Sequence, residues 1–337
     1  MSGLLSRRTM LSTMIAAPVL SGPVAASDPK VIIRVLTAHP AAFSLASILA
    51  RNSAITVEAI QPAKLPATRL ASYLAGRGKT TLEAAATNAD AVITFRSFWP
   101  EDPLYPHARR SNIRIVEIDA GRPLDGALNG IAIAEPSDDG AIYAALDLAP
   151  MPATGEGSAP WLAPSSLGRM ADVLAADLSR LDPSSAKAIA ANVAALKQRL
   201  LVLKAEADTA LAEADDLSAI ALSPHFAYLA ADLGIDLRAS ITAAPNEWTA
   251  ERITRLADWL KANDVSVVLL DTQPEPALVD ALKEYRLVRL SIVEGEEPDI
   301  VAAVERNIGA LRAAFRYHKP SRSGCRIPYT PSLICHR

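Results

Sequence analysis

Cysteine is almost missing from this chain. The 337 residues include only Cys325 and Cys335, both within the last 13 positions. A body without cysteine excludes a disulfide framework as the source of its stability. For the last 13 residues, a disulfide between these two cysteines is one alternative. His318 and His336 add further metal-ligand types there, although their spacing matches no zinc motif.

Aromatic residues are scarce, and neither sign of charge is in marked excess. Phe, Trp and Tyr make up 5% of the residues, apolar residues make up 50%, and the formal net charge is −3. Many of the apolar residues are alanine, which favours closely packed helices. A small net charge, mixed along the chain, predicts neither nucleic acid nor an anionic membrane as partner. The length allows two domains of ordinary size.

Motifs of catalysis are absent as well. The sequence contains no phosphate-binding glycine loop, no Gly-x-Ser-x-Gly turn and no His-Glu-x-x-His helix. Before the last twenty residues it has three histidines, His39, His107 and His225. The pairs of adjacent acids lie near expected turns and helix starts, where carboxylates act as caps. We therefore expect a protein that is not an enzyme.

The N-terminus has the features of an export signal. Residues 6–11 (SRRTML) resemble the twin-arginine signal, and the apolar segment Met14–Val24 precedes a small-residue cleavage site at Ala26. Proline and glycine interrupt this apolar run, which is shorter than the ~20 residues of a membrane-spanning helix. We expect residues 1–26 to be a cleaved signal peptide and the mature protein to be periplasmic.

The first half alternates short apolar strands with helical patterns. The predicted strands are Val31–Thr37, Ile55–Ile60, Ala91–Phe95 and Ile113–Ile118, and the predicted helices are Ala41–Arg51 and one within Thr80–Asn88. This alternation implies parallel pairing with right-handed crossovers. Residues 119–164 are rich in Gly, Pro, Ser and Asp and are expected to wrap the first lobe as loops.

The second half repeats the alternation more clearly. The predicted strands are Ser218–Leu222, Leu237–Ile241, Val265–Leu270 and Leu287–Val293, and the predicted helices are Pro224–Leu233, Thr249–Ala262, Pro276–Tyr285 and Pro298–Phe315. Four strand–helix units of this kind form a compact lobe with a parallel sheet.

A long helical pattern connects the two halves. An amphipathic segment, Ser165–Leu181, stops at Asp182-Pro183, and residues 184–214 then continue without interruption. A helix of roughly thirty residues spans about 45 Å, more than one small lobe covers. The predicted fold is α/β, with two parallel-sheet lobes (27–183 and 215–315) joined by one long rigid helix. Residues 316–337 are expected to be a disordered or loosely attached tail.

Four segments carry a resemblance to a known family. They are Ala159–Pro164 (APWLAP), Leu181–Pro183 (LDP), Ser223–Leu229 (SPHFAYL) and Leu269–Pro274 (LLDTQP). Together with the element order, they resemble the solute-binding proteins of zinc- and manganese-type ABC importers, over Val31–Phe315. The resemblance implies a monomeric receptor that delivers a small ligand to an inner-membrane ABC permease, with little domain closure. Zinc or manganese would be cargo, and no cofactor is required.

The resemblance also implies that the family's metal ligands are largely lost from this chain. The loop that supplies its first histidine carries Lys64 and Arg69 instead, and the positions of the second and third histidines hold Ala159 and Ser223. The acidic ligand remains, as Asp271. One carboxylate does not hold zinc, which takes four ligands in structural sites or three and a water in catalytic ones.

Two other histidines offer a substitute site. His39 and His225 each follow a predicted strand at its carboxyl end, where open parallel sheets bind ligands. With Asp271 they would form a metal site of two histidines and one carboxylate. Each also has a simpler interpretation. His39 would be a loop residue bonded to backbone, and His225 would lie in the first helical turn after the cap Ser223.

A second interpretation of the cleft between the lobes is that it binds an anion instead of a metal ion. Lys64 and Arg69 are cations in the predicted loop after the second strand, and Arg96 lies at the end of the third predicted strand. Arginine suits carboxylate or phosphate groups. Trp161 and Trp99 are candidate lining residues. The alternatives are therefore a metal ion, a metal chelate or an anionic solute. A further alternative is an accessory or interaction protein that no longer transports.

Overall fold

A computed structural model describes residues 32–126, 128–132, 140–149, 157–293 and 298–316. The expected export signal, its cleavage site and both cysteines lie outside the described residues. Arg316, the first residue of the expected tail, ends the last helix. In the described ranges, no helix is both long enough and apolar enough to span a membrane.

The first lobe is a parallel sheet with helices on it. Its elements are β1 (Ile33–Thr37), α1 (Pro40–Leu49), β2 (Ile55–Ala59), α2 (Leu70–Ala75), α3 (Lys79–Thr87), β3 (Ala91–Thr94), α4 (Leu104–Ala108) and β4 (Val116–Asp119). The strand order is β2-β1-β3-β4, and Val35 of β1 lies opposite Val57 of β2 and Ala91 of β3. All four residues of β3 are buried, as expected for a central parallel strand.

The second lobe has the same arrangement. Its elements are β5 (Ser218–Ala221), α8 (Ala227–Asp232), β6 (Asp236–Ser240), α9 (Ala250–Ala262), β7 (Val267–Leu270), α10 (Pro276–Ala281), β8 (Arg286–Arg289) and α11 (Ile300–Arg316). The strand order is β6-β5-β7-β8, all parallel, and Ala219 of β5 lies opposite Val267 of β7. The two parallel sheets confirm the predicted α/β fold.

Two long helices follow one another in the middle of the chain, and the second connects the lobes. α6 (Pro164–Leu181) and α7 (Ala186–Leu211) are separated by a 3-10 turn, Pro183–Ser185, in which Ser184 N donates to the Asp182 carboxylate at 3.1 Å. The predicted long helix is thus confirmed, with 26 regular residues. Its buried leucines, Leu196, Leu200 and Leu203, belong to one hydrophobic core that reaches both sheets.

One helix lies in a different lobe from the one expected. α5 (Gly140–Leu146) falls in the segment that we expected to wrap the first lobe as a loop. Its buried Ile142 and Leu146 pack with Ile253 and Leu256 of α9, in the core of the second lobe. The Tyr143 hydroxyl, which accepts from Thr242 N at 2.8 Å, fixes it there. The reason is that three large apolar residues on a short helix require burial, and α9 offers an apolar face.

Two element boundaries also differ from the expectation. The helix expected from Pro224 begins at Ala227, because His225 N donates to Ser223 Oγ at 3.2 Å and closes a turn first. The strand expected from Ile113 begins at Val116, and Ile113 itself is 77% exposed. Neither boundary is visible in the apolar pattern alone.

Candidate functional site

The strand order determines where a ligand can enter. In the second sheet the chain passes from β5 to β6 on one side and then crosses back to β7 on the other. Such a switch point opens a crevice at the carboxyl ends of the two central strands. Ser223 and His225 come directly after β5, and Asp271 comes directly after β7.

Three side chains meet in this crevice. Ser223 Oγ donates to Asp271 Oδ2 at 2.7 Å, and His225 Nδ1 lies 3.0 Å from the same oxygen and 3.0 Å from Ser223 Oγ. Because an ionised carboxylate only accepts, the proton between His225 and Asp271 belongs to Nδ1. The side chains of His225 and Asp271 are each 15% exposed, so a small ligand can approach them.

The hydrogen bonds keep Asp271 ionised. Burial acts to raise the pKa of Asp271, but the hydrogen bonds from His225 and Ser223 and the charge of His225 outweigh it. The pKa of Asp271 therefore lies below its ordinary value. The expectation that His225 is a solvated first-turn residue is wrong, because it precedes the helix and contacts Asp271.

His39 has a structural role in the first lobe. Its Nδ1 accepts from Ala41 N at 3.0 Å and caps α1, and its side chain is 6% exposed. The ring packs edge-on against Phe95 and Trp161, with centroids 4.7 and 4.8 Å away. Nearby Asp102 accepts from Phe95 N at 3.0 Å, and burial raises the pKa of Asp102.

The two tryptophans proposed for the cleft belong to the core. Trp161 is 1% exposed and stacks on Phe95 with centroids 4.8 Å apart, and Trp99 is 5% exposed. The indole N–H of Trp161 donates to Ile292 O at 3.5 Å, and Ala159 N donates to His225 O at 3.4 Å. The Ala159–Pro164 segment therefore connects the lobes through its backbone and its buried ring.

The cations expected in the cleft do not converge. Arg96 pairs with Glu117 at 3.3 Å beyond the end of β3. Lys64 borders a cavity of about 380 Å³ beside His39, together with Pro66, Ile292 and other residues. Arg69, exposed at the end of a 3-10 turn (Ala67–Arg69), does not border that cavity. An anion site built from these three residues is therefore not formed.

The structure brings together two of the three expected metal ligands. Across the ranges that it describes, no three side chains of His, Cys, Asp or Glu are grouped so as to hold a metal ion. His225 and Asp271 are in contact, whereas His39 is bound into the aromatic core of the first lobe. The described residues thus offer an imidazole, a carboxylate and the Ser223 hydroxyl, an incomplete set for zinc or manganese.

Two arginines near this site were missed by sequence reasoning. A cavity of about 370 Å³ is bordered by Asp271, Arg289, Ser291, Arg306, Asn307 and two apolar residues. Arg289 lies in a segment predicted as continuous strand, and Arg306 lies within a predicted helix. Neither pattern shows that β8 stops at Arg289 and that α11 approaches its end.

Known proteins share this fold. The structure is similar to a zinc-bound ZnuA deletion mutant (TM-score 0.62, 19% identity, covering 85% of this chain and 99% of that one). It is similar to Zn(II)-bound AdcA from Streptococcus pneumoniae (0.64, 18%, 86% and 59%) and to the SBP FpvC from P. aeruginosa with Ni²⁺ (0.61, 20%, 84% and 97%). At such identities, the likeness shows the fold alone.

The sequence itself identifies the family. No curated protein matches the chain significantly in sequence. The family model described as zinc-uptake complex component A, periplasmic, matches residues 136–314, which is more than half of the chain. That range includes the turn after β5 and the acidic residue after β7. The chain therefore belongs to the ZnuA family of metal-binding, periplasmic solute-binding proteins.

Proposed function

We propose that this chain is the receptor of an ABC importer and that its cargo is zinc or manganese, bound at Ser223, His225 and Asp271. The observation that carries the proposal is the hydrogen-bonded His225–Asp271 pair at the switch point of the second sheet. In a member of the ZnuA family, this crevice between strand ends is the place for a ligand. The similar structures of ZnuA and AdcA contain zinc, and that of FpvC contains nickel.

The geometry suits a metal ion that replaces a proton. The atoms Ser223 Oγ, His225 Nδ1 and Asp271 Oδ2 lie 2.7 to 3.0 Å from one another. An ion with bonds of about 2.0–2.2 Å to N and O fits against such a set. Binding expels the proton on His225 Nδ1, so affinity increases with pH. Because these donors leave coordination positions open, water or a chelator completes the shell.

The test is calorimetry of the mature protein with zinc chloride and with manganese chloride. His225→Ala and Asp271→Asn should each weaken zinc binding by about 10- to 100-fold, since the first removes a donor and the second removes the negative charge of the site. His107→Ala, a histidine on α4 of the other lobe, should bind like the wild type. Unchanged affinity in both site variants would refute the metal site.

The proposal also includes export to the periplasm and an ABC permease as partner. The twin-arginine-like segment 6–11 supports delivery to the periplasm, and the family supports an inner-membrane ABC permease as partner. Replacing Arg7 and Arg8 together by lysine should leave the uncleaved precursor in the cytoplasm. Cell fractionation checks this, and normal export of the variant would contradict it.

A second function is favoured by one observation. Because the described residues contain no group of three metal-ligating side chains, the protein alone offers zinc few donors. The small number of metal ligands agrees with a family member that binds an anionic solute. It also agrees with an accessory protein that does not transport. Calorimetry in which neither zinc nor manganese produces heat would favour this second function.

A further inference from the structure

A small polar cavity adjoins the His225–Asp271 pair. It has a volume of about 370 Å³ and lies beyond the carboxyl ends of β7 and β8, against α11. Asp271 borders it on one side, and Arg289 and Arg306 border it together with Ser291. The cavity is therefore bordered by one acidic residue and two arginines.

Among the described residues, the two arginines have no side-chain partner. Neither Arg289 nor Arg306 forms a side-chain hydrogen bond or an ion pair with any residue in the part of the chain that is described. Their neighbours on α11 behave differently, since Arg312 pairs with Glu206 at 3.3 Å and Glu305 pairs with Arg199 at 2.6 Å. The cavity is thus bordered by two cations and by one carboxylate, Asp271, which is already hydrogen-bonded to His225 and Ser223. A bound anion would balance the remaining positive charge.

The backbone of this cavity is fixed before any ligand arrives. The side chain of Asn307, 1% exposed, accepts from Ser291 N at 2.7 Å and donates to Ser291 O at 2.8 Å. These two bonds hold the chain just after β8 against α11, the helix that carries Arg306. A site with a fixed backbone loses less entropy when it binds its ligand.

From this pairing of charges we infer that the cargo is a metal ion already held by a small carboxylate chelator, with Arg289 and Arg306 binding the chelator's carboxylates. The inference rests on the proposed metal site, where His225 and Asp271 bind the metal. Guanidinium groups bind carboxylates by strong, often bidentate, hydrogen bonds. The chelator supplies metal ligands that the protein lacks, so we expect the chelated ion to be held more tightly than the ion alone.

Equilibrium dialysis of labelled citrate against the mature protein, with and without zinc chloride, tests the inference. Citrate should be retained when zinc is present and should be lost when zinc is omitted. Arg289→Gln and Arg306→Gln should each reduce retention by about tenfold or more, because each removes a charge-assisted hydrogen bond. Arg312→Gln, on the same helix but paired with Glu206, is the matched control and should retain citrate.

Calorimetry with zinc chloride alone separates this inference from the proposed function. Both arginine variants should bind zinc alone as the wild type does, which also shows that they are folded. If zinc binds but no citrate is retained, the chelate inference is wrong and the metal receptor stands. If citrate is retained equally without zinc, the cavity binds a free anion and the inference is overturned. If neither binds, the proposed function fails as well.

Discussion

At the scale of residues, two histidines with similar sequence contexts have different roles. His39 and His225 each adjoin a proline and follow a strand, so the sequence predicts both at strand ends. The structure confirms these positions but buries His39 against Phe95 and Trp161. Those partners come from distant parts of the chain, and the local pattern around His39 contains no information on them. Only His225 meets Asp271, and only that half of the candidate site could be predicted.

Asp271 should make stability depend on pH in the acid range. Its pKa is lowered in the folded state, so its contribution is complete above the unfolded pKa of about 3.9 and is lost as the pH falls through the folded value. Asp271→Asn should therefore destabilise the protein at pH 7, by about 1–3 kcal/mol for lost charged hydrogen bonds. The difference from wild type should shrink as the pH falls below 4.

Thermal unfolding followed by circular dichroism between pH 7 and pH 3 measures this difference. Asp280→Asn, which changes an exposed carboxylate on α10, is the matched control and should follow the wild type at every pH. If the stability difference between Asp271→Asn and the wild type stays constant over the whole pH range, the hydrogen bonds to Asp271 do not lower its pKa and this prediction is wrong.

At the scale of elements, periodic apolar patterns predicted the helices well, whereas the contacts made in turns could not be predicted. The spacing of Leu196, Leu200 and Leu203 predicted the long helix, because burial of one helical stripe has a local period. The helix after β5 was predicted to start at Pro224, since a proline typically begins a helix. Instead, Ser223 Oγ accepts from His225 N and donates to Asp271 Oδ2. The second bond joins residues that follow two neighbouring strands, and only the folded sheet brings them together.

Neighbouring leucines on α7 should differ sharply in their effect on stability. Leu200 is 3% exposed within the core that joins the lobes, whereas Leu201 is 63% exposed. Leu200→Ala should lower the free energy of unfolding by about 2–5 kcal/mol, because it leaves a cavity. Leu201→Ala should change it by about 0.5 kcal/mol or less. Urea unfolding at equilibrium compares them, and equal effects would refute this assignment of faces.

At the scale of the whole molecule, the lobes are tied together at several points. Ile300 N at the start of α11 donates to the buried Ser44 Oγ of α1 at 3.0 Å. Asn192 of α7 donates to Leu49 O and Arg51 O at the end of α1, at 2.9 and 2.8 Å. A hinge motion that separates the lobes would break the buried bond between Ile300 and Ser44, at about 1–3 kcal/mol. Ligand capture should therefore involve little closure.

Pulsed electron–electron distance measurements between spin labels on the two lobes check this expectation. Lys79 of α3 and Lys261 of α9 are exposed, and each can be replaced by a labelled cysteine after Cys325 and Cys335 are changed to serine. Addition of zinc with citrate, in amounts shown by dialysis to saturate the protein, should shift the mean distance by no more than about 2 Å. A shift of about 5 Å or more would mean that the Ser44–Ile300 contact between the lobes breaks during capture. The connecting helix would then act as a hinge, because its packing in the shared core would have to change with the lobes.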